Sequence, residues 1–272
     1  MEETKLISLT INGRSVEARP KETLLAVARR YGFNIPTLCD HKAVLPYGVC
    51  RLCVLDVKWG KRSKLVVSCV YEPGEGDVVE TDSERVKHTR RLILELLLAR
   101  CPQVAQVRRL AKEYGAAKPR FSVPEGTAIG ERCILCGLCV RVCKEVIGQS
   151  AIGYCNRGGE RKITSPLGVD SEKCIGCRAC VHVCPTGALH FEDNDGERVM
   201  KELHTHLSMA KCMVCGDSFA TQKQLTGLKG RTAVLIETLE TCPACRRKRT
   251  CREMEENQFS GKQSKARGNS HV

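Results

Sequence analysis

The sequence predicts an α+β chain assembled from several small, metal-held modules rather than around one large core. Three observations predict it. Cysteine accounts for 19 of the 272 residues while aromatics make up only 4%, so an extensive aromatic-rich interior is not available. Most of those cysteines fall into C-x2-C groups, the spacing of metal ligands rather than of a disulfide framework. Short alternating apolar runs near the N-terminus give way to helical periodicity after residue 84, which mixes strands and helices in separate segments.

Residues 1–84 come first. Ile7, Leu9 and Ile11 alternate with polar residues, Asn12-Gly13 supplies a turn, and Val16 and Ala18 resume the alternation. This predicts a β-hairpin with a type I′ turn. Pro20 precedes a helical stretch from Glu22 to Arg30, apolar at Leu24, Leu25, Val27 and Ala28, with Gly32 as its stop. Strands are predicted over Val54–Val57 and Leu65–Val67 around a turn at Trp59-Gly60-Lys61, and a last one at Val78–Val79. Hairpin, helix and later strands match a β-grasp ferredoxin domain. Cys39, Cys50, Cys53 and Cys69 lie within it as C-x10-C-x2-C-x15-C. Four thiolates can hold a [2Fe–2S] rhomb, two on each iron. Gly48 permits close backbone approach just before Cys50. A structural zinc is the alternative reading of the same ligands. His41 is expected to pack or hydrogen-bond, because four cysteines complete the site.

Two segments, Thr37-Leu38-Cys39-Asp40-His41 and Gly48-Val49-Cys50-Arg51-Leu52-Cys53-Val54, resemble the [2Fe–2S] domain that opens the large iron–sulfur subunit of respiratory complex I. They are equally similar to the diaphorase-type gamma subunits of NAD-linked hydrogenases and formate dehydrogenases. The resemblance covers about residues 1–200.

Residues 85–125 are predicted to be a helical linker. Ser83 can cap a helix from Glu84, whose charged start leads into the apolar block Leu92 to Leu98, interrupted at Glu95, and on to Cys101-Pro102. A second amphipathic stretch, Val104 to Tyr114, ends at Gly115, and Lys118 to Pro124 reads as extended. In the resembled family a helix here leads to a further cluster held by one histidine and three cysteines. Here Cys101 stands alone before Cys133, so that cluster is expected to be absent, with Cys101 a buried thiol and His88 no ligand.

Residues 126–200 carry the most specific signal. Cys133-Ile-Leu-Cys136-Gly-Leu-Cys139-Val-Arg-Val-Cys143 and Cys174-Ile-Gly-Cys177-Arg-Ala-Cys180-Val-His-Val-Cys184-Pro185 are both C-x2-C-x2-C-x3-C. This is the bacterial two-cluster spacing, in which the last cysteine of each run serves the other cluster. One [4Fe–4S] cluster is therefore assigned to Cys133, Cys136, Cys139 and Cys184, and the other to Cys174, Cys177, Cys180 and Cys143. Disulfide-rich or zinc loops are the alternative, and two identical four-cysteine runs argue against them. Lys144 stands where the first run would carry its proline. Between the runs, a strand around Ala151–Cys155, a glycine turn and a return over Arg161–Thr164 are predicted, with Cys155 a small core residue. An inserted hairpin of this kind is again similar to the resembled family.

Residues 201–250 hold Cys212-Met-Val-Cys215-Gly216 and Cys242-Pro-Ala-Cys245. Two such knuckles suit one tetrahedral zinc; a further iron–sulfur cluster is the competing occupant. His204 and His206 are expected on a solvated loop, and Leu225, Leu228 and a strand over Ala233–Ile236 supply a small core. Arg246-Arg247-Lys248-Arg249 opens a basic run, and residues 251–272 read as a basic and polar tail without fixed structure.

The formal charge of +13 belongs partly to that tail and partly offsets clusters whose thiolates leave them net negative. Compensation and a solvated surface account for it better than nucleic-acid binding, for which the tail lacks interleaved aromatics; an acidic protein partner and an anionic cofactor are the other readings. The N-terminus, Met-Glu-Glu-Thr-Lys, has no apolar signal region, and the longest apolar stretch, Leu92 to Ala99, falls short of the ~20 residues of a membrane span. A cytoplasmic location without a direct membrane span is expected, peripheral to a membrane complex if the partners are membrane-bound. No G-x-G-x-x-G loop follows a strand and no nucleophile–base set is evident, so the chain is expected to carry no catalytic residue and no NAD or flavin site.

One [2Fe–2S] and two [4Fe–4S] centres make an electron relay. The resemblance implies that it connects a flavin/NAD(H)-binding subunit with a catalytic oxidoreductase subunit such as a hydrogenase or formate dehydrogenase. The resembled family's large subunit carries a further molybdopterin-type domain, and the stretch after residue 200 is too short for one, so a truncated, diaphorase-type subunit is expected. A freestanding ferredoxin-like carrier and an iron–sulfur or zinc nucleic-acid-binding protein are the rival readings.

Overall fold

The computed structural model describes residues 6–118, 120–121, 132–165, 171–194, 196–229 and 236–266. Of the sequence expectations, the end of the extended stretch at Pro124 and most of the Ala233–Ile236 strand lie outside these residues. The chain divides into two compact units, residues 1–169 with 179–190, and residues 170–178 with 191–272.

In the first unit, β1 (Ile7–Ile11) and β2 (Arg14–Ala18) pair antiparallel from Ile7↔Ala18 to Ile11↔Arg14. Asn12 and Gly13 both have positive φ, 50° and 78°, as a type I′ turn requires. β3 (Val54–Trp59), β4 (Arg62–Val67) and β5 (Val78–Glu80) complete a five-stranded sheet of order β2-β1-β5-β3-β4. β5 is parallel to β1 and antiparallel to β3. Helix α1 (Leu24–Arg30) starts where Thr23 accepts a hydrogen bond from the Ala26 N–H. It buries Leu24, Leu25, Val27 and Ala28 against Leu9, Ile11, Val16, Val57 and Val79 of the sheet. Each such large aliphatic side chain, once fully enclosed, contributes on the order of 1.5–3 kcal/mol.

Helix α2 (Glu84–Arg100) is capped by Ser83, whose hydroxyl accepts from the Val86 N–H. Helix α3 (Ala105–Glu113) buries Val107, Leu110 and Ala111. The two helices do more than link. With Leu38, Leu52, Leu94, Leu98 and Leu138 they form a second apolar cluster that encloses Cys39, Cys50, Cys101 and Cys136. Cys101 is fully buried, and burial raises its thiol to about 11. Helix α4 (Leu138–Arg141) passes directly into a π-helical turn, Val142–Val146. β6 (Gly153–Cys155) and β7 (Lys162–Thr164) form the inserted hairpin, and α5 (Ala179–His182) follows. Cys155 is half-buried rather than in a core, and donates to the Ser165 carbonyl at 3.9 Å.

In the second unit, β8 (Glu192–Asn194), β9 (Glu197–Met200), β10 (Thr205–Lys211) and β11 (Ser218–Thr221) make an antiparallel sheet of order β11-β10-β9-β8. Along β10, Thr205, Leu207 and Met209 are buried while His206 and Ser208 face out, the period of two of a half-buried strand. His206 is thus on a strand and pairs with Glu197 at 3.5 Å, while the exposed His204 occupies the turn before it. Helices α6 (Gln222–Lys229), α7 (Ile236–Leu239) and α8 (Pro243–Ala266) follow. α8 corrects the expectation of a structureless tail, because it carries the chain in helix through residue 266. Proline at its first position and the Arg, Lys, Glu and Met that follow are good helix formers.

Candidate metal centres

The loop from Ile35 to Cys53 is held between the two apolar clusters of the first unit, which explains how four thiols can be enclosed there. Cys39, Cys53 and Cys69 are about 1% exposed and Cys50 is 8% exposed. They associate as two pairs. The Cys50 N–H donates to the Cys39 sulfur at 3.4 Å. The Cys50 thiol hydrogen-bonds to Cys39 and lowers it to about 6, and the Cys69 thiol lowers Cys53 to about 6 in the same way. The donors of each pair, Cys50 and Cys69, are pushed up by giving that bond.

The backbone around these sulfurs is fixed by side chains from elsewhere in the unit. Ser68 donates through its hydroxyl to the Cys53 carbonyl at 2.7 Å. Arg90, only 1% exposed, reaches in from α2 and donates to the carbonyls of Leu52 (3.1 Å) and Val54 (2.9 Å). Arg141 donates to the carbonyls of Cys39 and Leu45. Gly48 and Arg51 both take positive φ as the loop turns. His41 accepts from the Ala43 N–H through Nδ1.

The first unit also gathers Cys133, Cys136, Cys139 and Cys184, whose thiols influence one another's ionisation. Burial pushes Cys136 up to about 11 and raises Cys133 and Cys139 as well. Burial also raises Cys184, but hydrogen bonds from Thr186 and from the Ala188 N–H (3.3 Å) outweigh it, and its net shift is downward. A metal bound here must displace protons from the raised thiols. Gly137, at φ 72°, lies under Tyr154. A Cβ at this position would stand 2.2 Å from the tyrosine hydroxyl. Arg161 stacks on the Tyr154 ring at 4.0 Å. Buried Cys143 accepts from the Ala151 N–H at 3.3 Å, and Cys180 is buried on α5.

Cys174 and Cys177 belong to the second unit, on a turn centred on Gly176 at φ 67°. The Cys174 N–H donates to the Ser171 carbonyl at 3.0 Å. Arg198 on β9, itself 4% exposed, donates to the Gly176 carbonyl at 2.7 Å.

Four of the five remaining cysteines converge, and the fifth, Cys251, is exposed on α8. The sulfurs of Cys212, Cys215, Cys242 and Cys245 all lie within 4.8 Å of one another, and those of Cys215 and Cys242 are 3.8 Å apart. The first knuckle follows β10, and the second leads into α8, where the Arg246 N–H bonds back to the Cys242 carbonyl. The N–H groups of Cys242 (3.2 Å) and Val214 (3.4 Å) both point at the Cys212 sulfur. With the Cys242 N–H as the largest cause, the Cys212 thiol falls to about 6. Cys215 is exposed and Cys245 half-buried, so this site reaches the surface.

Arg90, Arg141, Tyr154 and Arg198 carry no linear motif. What singles them out is contact with ligand loops 22–102 residues away for the three arginines and 17 residues away for Tyr154 over Gly137.

Comparison with known proteins adds family information to this geometry. A family model described as a 2Fe-2S iron-sulfur cluster binding domain matches residues 4–84, and one described as a 4Fe-4S dicluster domain matches residues 132–188 and 173–223. An NADH-quinone oxidoreductase subunit of Rhizobium meliloti is 32% identical over 206 residues, covering 68% of this chain and 24% of the relative. The NADPH-Fe(3+) oxidoreductase subunit alpha of Geobacter sulfurreducens is 33% identical over 204 residues, covering 68% and 24%. The mitochondrial NADH-ubiquinone oxidoreductase 78 kDa subunit of Candida albicans is 31% identical over 207 residues, covering 67% and 28%. Among solved structures, a chain of an NAD+-reducing [NiFe]-hydrogenase in the H2-reduced state aligns with a TM-score of 0.51 at 27% identity, over 58% of this chain and 74% of that one. The chain thus spans about a quarter of the length of these curated relatives.

Proposed function

We propose that this chain, which resembles the N-terminal part of the large iron–sulfur subunit of NADH dehydrogenases and the iron–sulfur subunit of an NAD+-reducing hydrogenase, is the electron-transfer subunit of a multisubunit oxidoreductase. The observation that carries this reading is the order of matched domains, a 2Fe-2S domain followed by a 4Fe-4S dicluster domain.

Within that reading, residues 6–84 form a β-grasp domain whose [2Fe–2S] centre takes Cys39, Cys50, Cys53 and Cys69. The observed pairing of Cys39 with Cys50 and of Cys53 with Cys69 supports two thiolates per iron. Cys133, Cys136, Cys139 and Cys184 hold one [4Fe–4S] centre, and the spacing assigns the other to Cys174, Cys177, Cys180 and Cys143. The clusters supply the one-electron chemistry. The chain's own residues exclude water around the thiolates, fix the ligand loops through Arg90, Arg141 and Ser68, and direct N–H groups at the sulfurs, as at Cys39, Cys143 and Cys184.

The four C-terminal sulfurs are read as a zinc site. A tetrahedron with Zn–S bonds of about 2.3 Å sets its sulfurs about 3.8 Å apart. A cubane spreads its thiolates wider, because each caps a separate iron. The close convergence of Cys212, Cys215, Cys242 and Cys245 favours the single ion.

The partners are read as a flavin- and NAD(H)-binding subunit on one side and a catalytic oxidoreductase subunit on the other, on the cytoplasmic side of any membrane. Among the described residues no helix is long and apolar enough to cross a membrane. Anaerobic metal analysis with EPR of the reduced protein tests the cofactor set. About ten iron atoms and one zinc per chain are expected, with one [2Fe–2S] and two [4Fe–4S] signals. Fewer than about eight iron in fully loaded protein would refute the two cubanes. Purification from the native source tests the assembly, and a chain that emerges alone overturns it.

A further inference from the structure

We propose that the zinc knot of Cys212, Cys215, Cys242 and Cys245 holds the neighbouring iron–sulfur ligand loop, Cys174 to Cys177, in its binding shape. This rests on the zinc reading above and assigns that ion a role in loading a cluster.

The physical link runs entirely within the second unit. The turn around Gly176 is pressed on by three strands. A Cβ at Gly176 would stand 2.7 Å from Thr221 Cγ2, 2.8 Å from Leu207 Cδ1 and 3.3 Å from Arg198 Cδ. The turn's carbonyls are held by the same side chains. Thr221 donates its hydroxyl to the Ile175 carbonyl at 2.5 Å, and Arg198 donates to the Gly176 carbonyl at 2.7 Å. Asp193 orients Arg198 through contacts of 2.7 and 2.9 Å and also pairs with Arg178, the residue after Cys177. Lys223 adds a bond to the Glu172 carbonyl at 3.0 Å. The loop that presents Cys174 and Cys177 therefore takes its shape from β9, β10, β11 and the start of α6.

The weak member of that support is β11. It is one of the two edge strands of the sheet and pairs with β10 through Met209↔Thr221, Ala210↔Ala220 and Lys211↔Ser218, with an irregularity between Ala210 and Lys211. A hairpin this short is marginal on its own. What closes it is the metal loop. The Cys212 N–H donates to the Asp217 carbonyl at 2.9 Å, and the Gly216 N–H donates back to the Cys212 carbonyl at 2.9 Å. The Met213 N–H then ties the first knuckle to the Glu240 carbonyl, two residues before Cys242. An ion shared by both knuckles pins the β10–β11 closure to the start of α8. Thr221, six residues after Cys215, is fully buried at the other end of β11, against Ile175. Without the ion, the knuckles are joined only by hydrogen bonds such as those from the Met213 N–H to the Glu240 carbonyl and from the Cys242 N–H to the Cys212 sulfur, so the closure loosens and Thr221 loses its register against Ile175.

The test uses the full-length protein in its assembled, cluster-loaded state. The double variant Cys215→Ser, Cys245→Ser removes the two most accessible ligands. It is expected to lose its zinc and about four of about ten irons, with the EPR signals of the [2Fe–2S] centre and of the centre at Cys133, Cys136, Cys139 and Cys184 retained. A variant that loses zinc yet keeps all its iron and both cubane signals overturns the inference while leaving the zinc reading intact. Wild-type protein with about fourteen iron and no zinc overturns the zinc reading and this inference together. Thr221→Val cuts the link without touching a metal ligand. It is expected to keep zinc while weakening or shifting the signal of the second cubane alone. Unchanged signals in that variant overturn the inference even if the double variant fails to fold.

Discussion

Arg141 donates a 2.7 Å hydrogen bond from its guanidinium to the backbone carbonyl of Cys39. The two residues are 102 positions apart. Arg141 lies between Cys139 and Cys143 of the first four-cysteine run, and its guanidinium also sits 5.4 Å from the centre of the Tyr47 ring. One cation thus ties the loop of Cys39 to the first four-cysteine run, which the proposed reading makes a [2Fe–2S] loop and a [4Fe–4S] run. Removing a positive charge beside a negative centre disfavours the reduced form. Arg141→Gln is expected to lower the midpoint potential of the [2Fe–2S] centre by tens of millivolts, the equivalent of about 1–2 kcal/mol for one electron. Arg141→Lys, which keeps the charge but not the forked geometry, is expected to fall between. Redox titration followed by EPR checks this, and a potential unchanged in the Gln variant refutes it.

Arg90 is a second arginine that holds the same loop, and it is buried. Its donations to Leu52 and Val54 flank Cys53, and Asp82 and Tyr114 meet the same guanidinium at 3.3 and 3.2 Å. Arg90→Leu strands two carbonyls in an enclosed setting. The expected cost is about 2–5 kcal/mol, read from chemical denaturation, with bleaching of the visible circular dichroism of the [2Fe–2S] centre. A variant that retains both its stability and its chromophore would show that the loop is held by the thiolates alone.

These two arginines mark the limit of what the linear chain discloses. The Asn12-Gly13 hairpin, the Ser83 cap and the cysteine groups are legible because their physics is local: a turn, a cap or a C-x2-C loop is decided within a few residues. Arg90 is one of several basic residues on a helix, and nothing nearby distinguishes it from Arg91, whose side chain is largely exposed. Burial against Leu52 and Val54 is a tertiary fact. Gly176 and Thr221 are likewise 45 positions apart, and only the folded sheet shows that β11 lies against the Cys174–Cys177 turn. Helix α8 is a different case. Pro243 and the helix formers after it are local signals, but so dense a run of positive charge suits a solvated tail as well as a helix.

Tyr154 over Gly137 supplies a prediction with its own control. Gly137→Ala forces a side chain into positive φ, which costs about 1–2 kcal/mol, and drives its Cβ to 2.2 Å from the tyrosine hydroxyl. The centre at Cys133, Cys136, Cys139 and Cys184 is expected to be lost or under-loaded. Adding Tyr154→Phe removes the clashing oxygen and leaves the ring carbon at 3.4 Å, a tolerable contact. The double variant is therefore expected to regain much of the iron. Iron content and the EPR signal of that centre measure both steps. Equal loss in single and double variants would place the defect in the backbone turn instead of the clash.

Glu95 interrupts the apolar face of α2 and is completely enclosed, yet it meets two guanidinium groups: Arg120 at 2.7 Å and Arg91 at 3.2 Å. The hydrogen bond from Arg120 is the largest influence, and it holds the carboxyl below its ordinary value. A carboxyl whose folded-state pKa is depressed stabilises the fold above its unfolded pKa, about 4.3, and that contribution disappears as pH falls through the lower folded-state value. Glu95→Gln removes the titration. Wild-type protein is expected to be the more stable at pH 7, and its advantage over the Gln variant should shrink steadily as the pH drops below the carboxylate range. Urea midpoints of both proteins across a pH series test the sign. Acid release of clusters acts on both alike and cancels in the difference, so an advantage that grows toward low pH would mean that Glu95 is protonated in the folded chain.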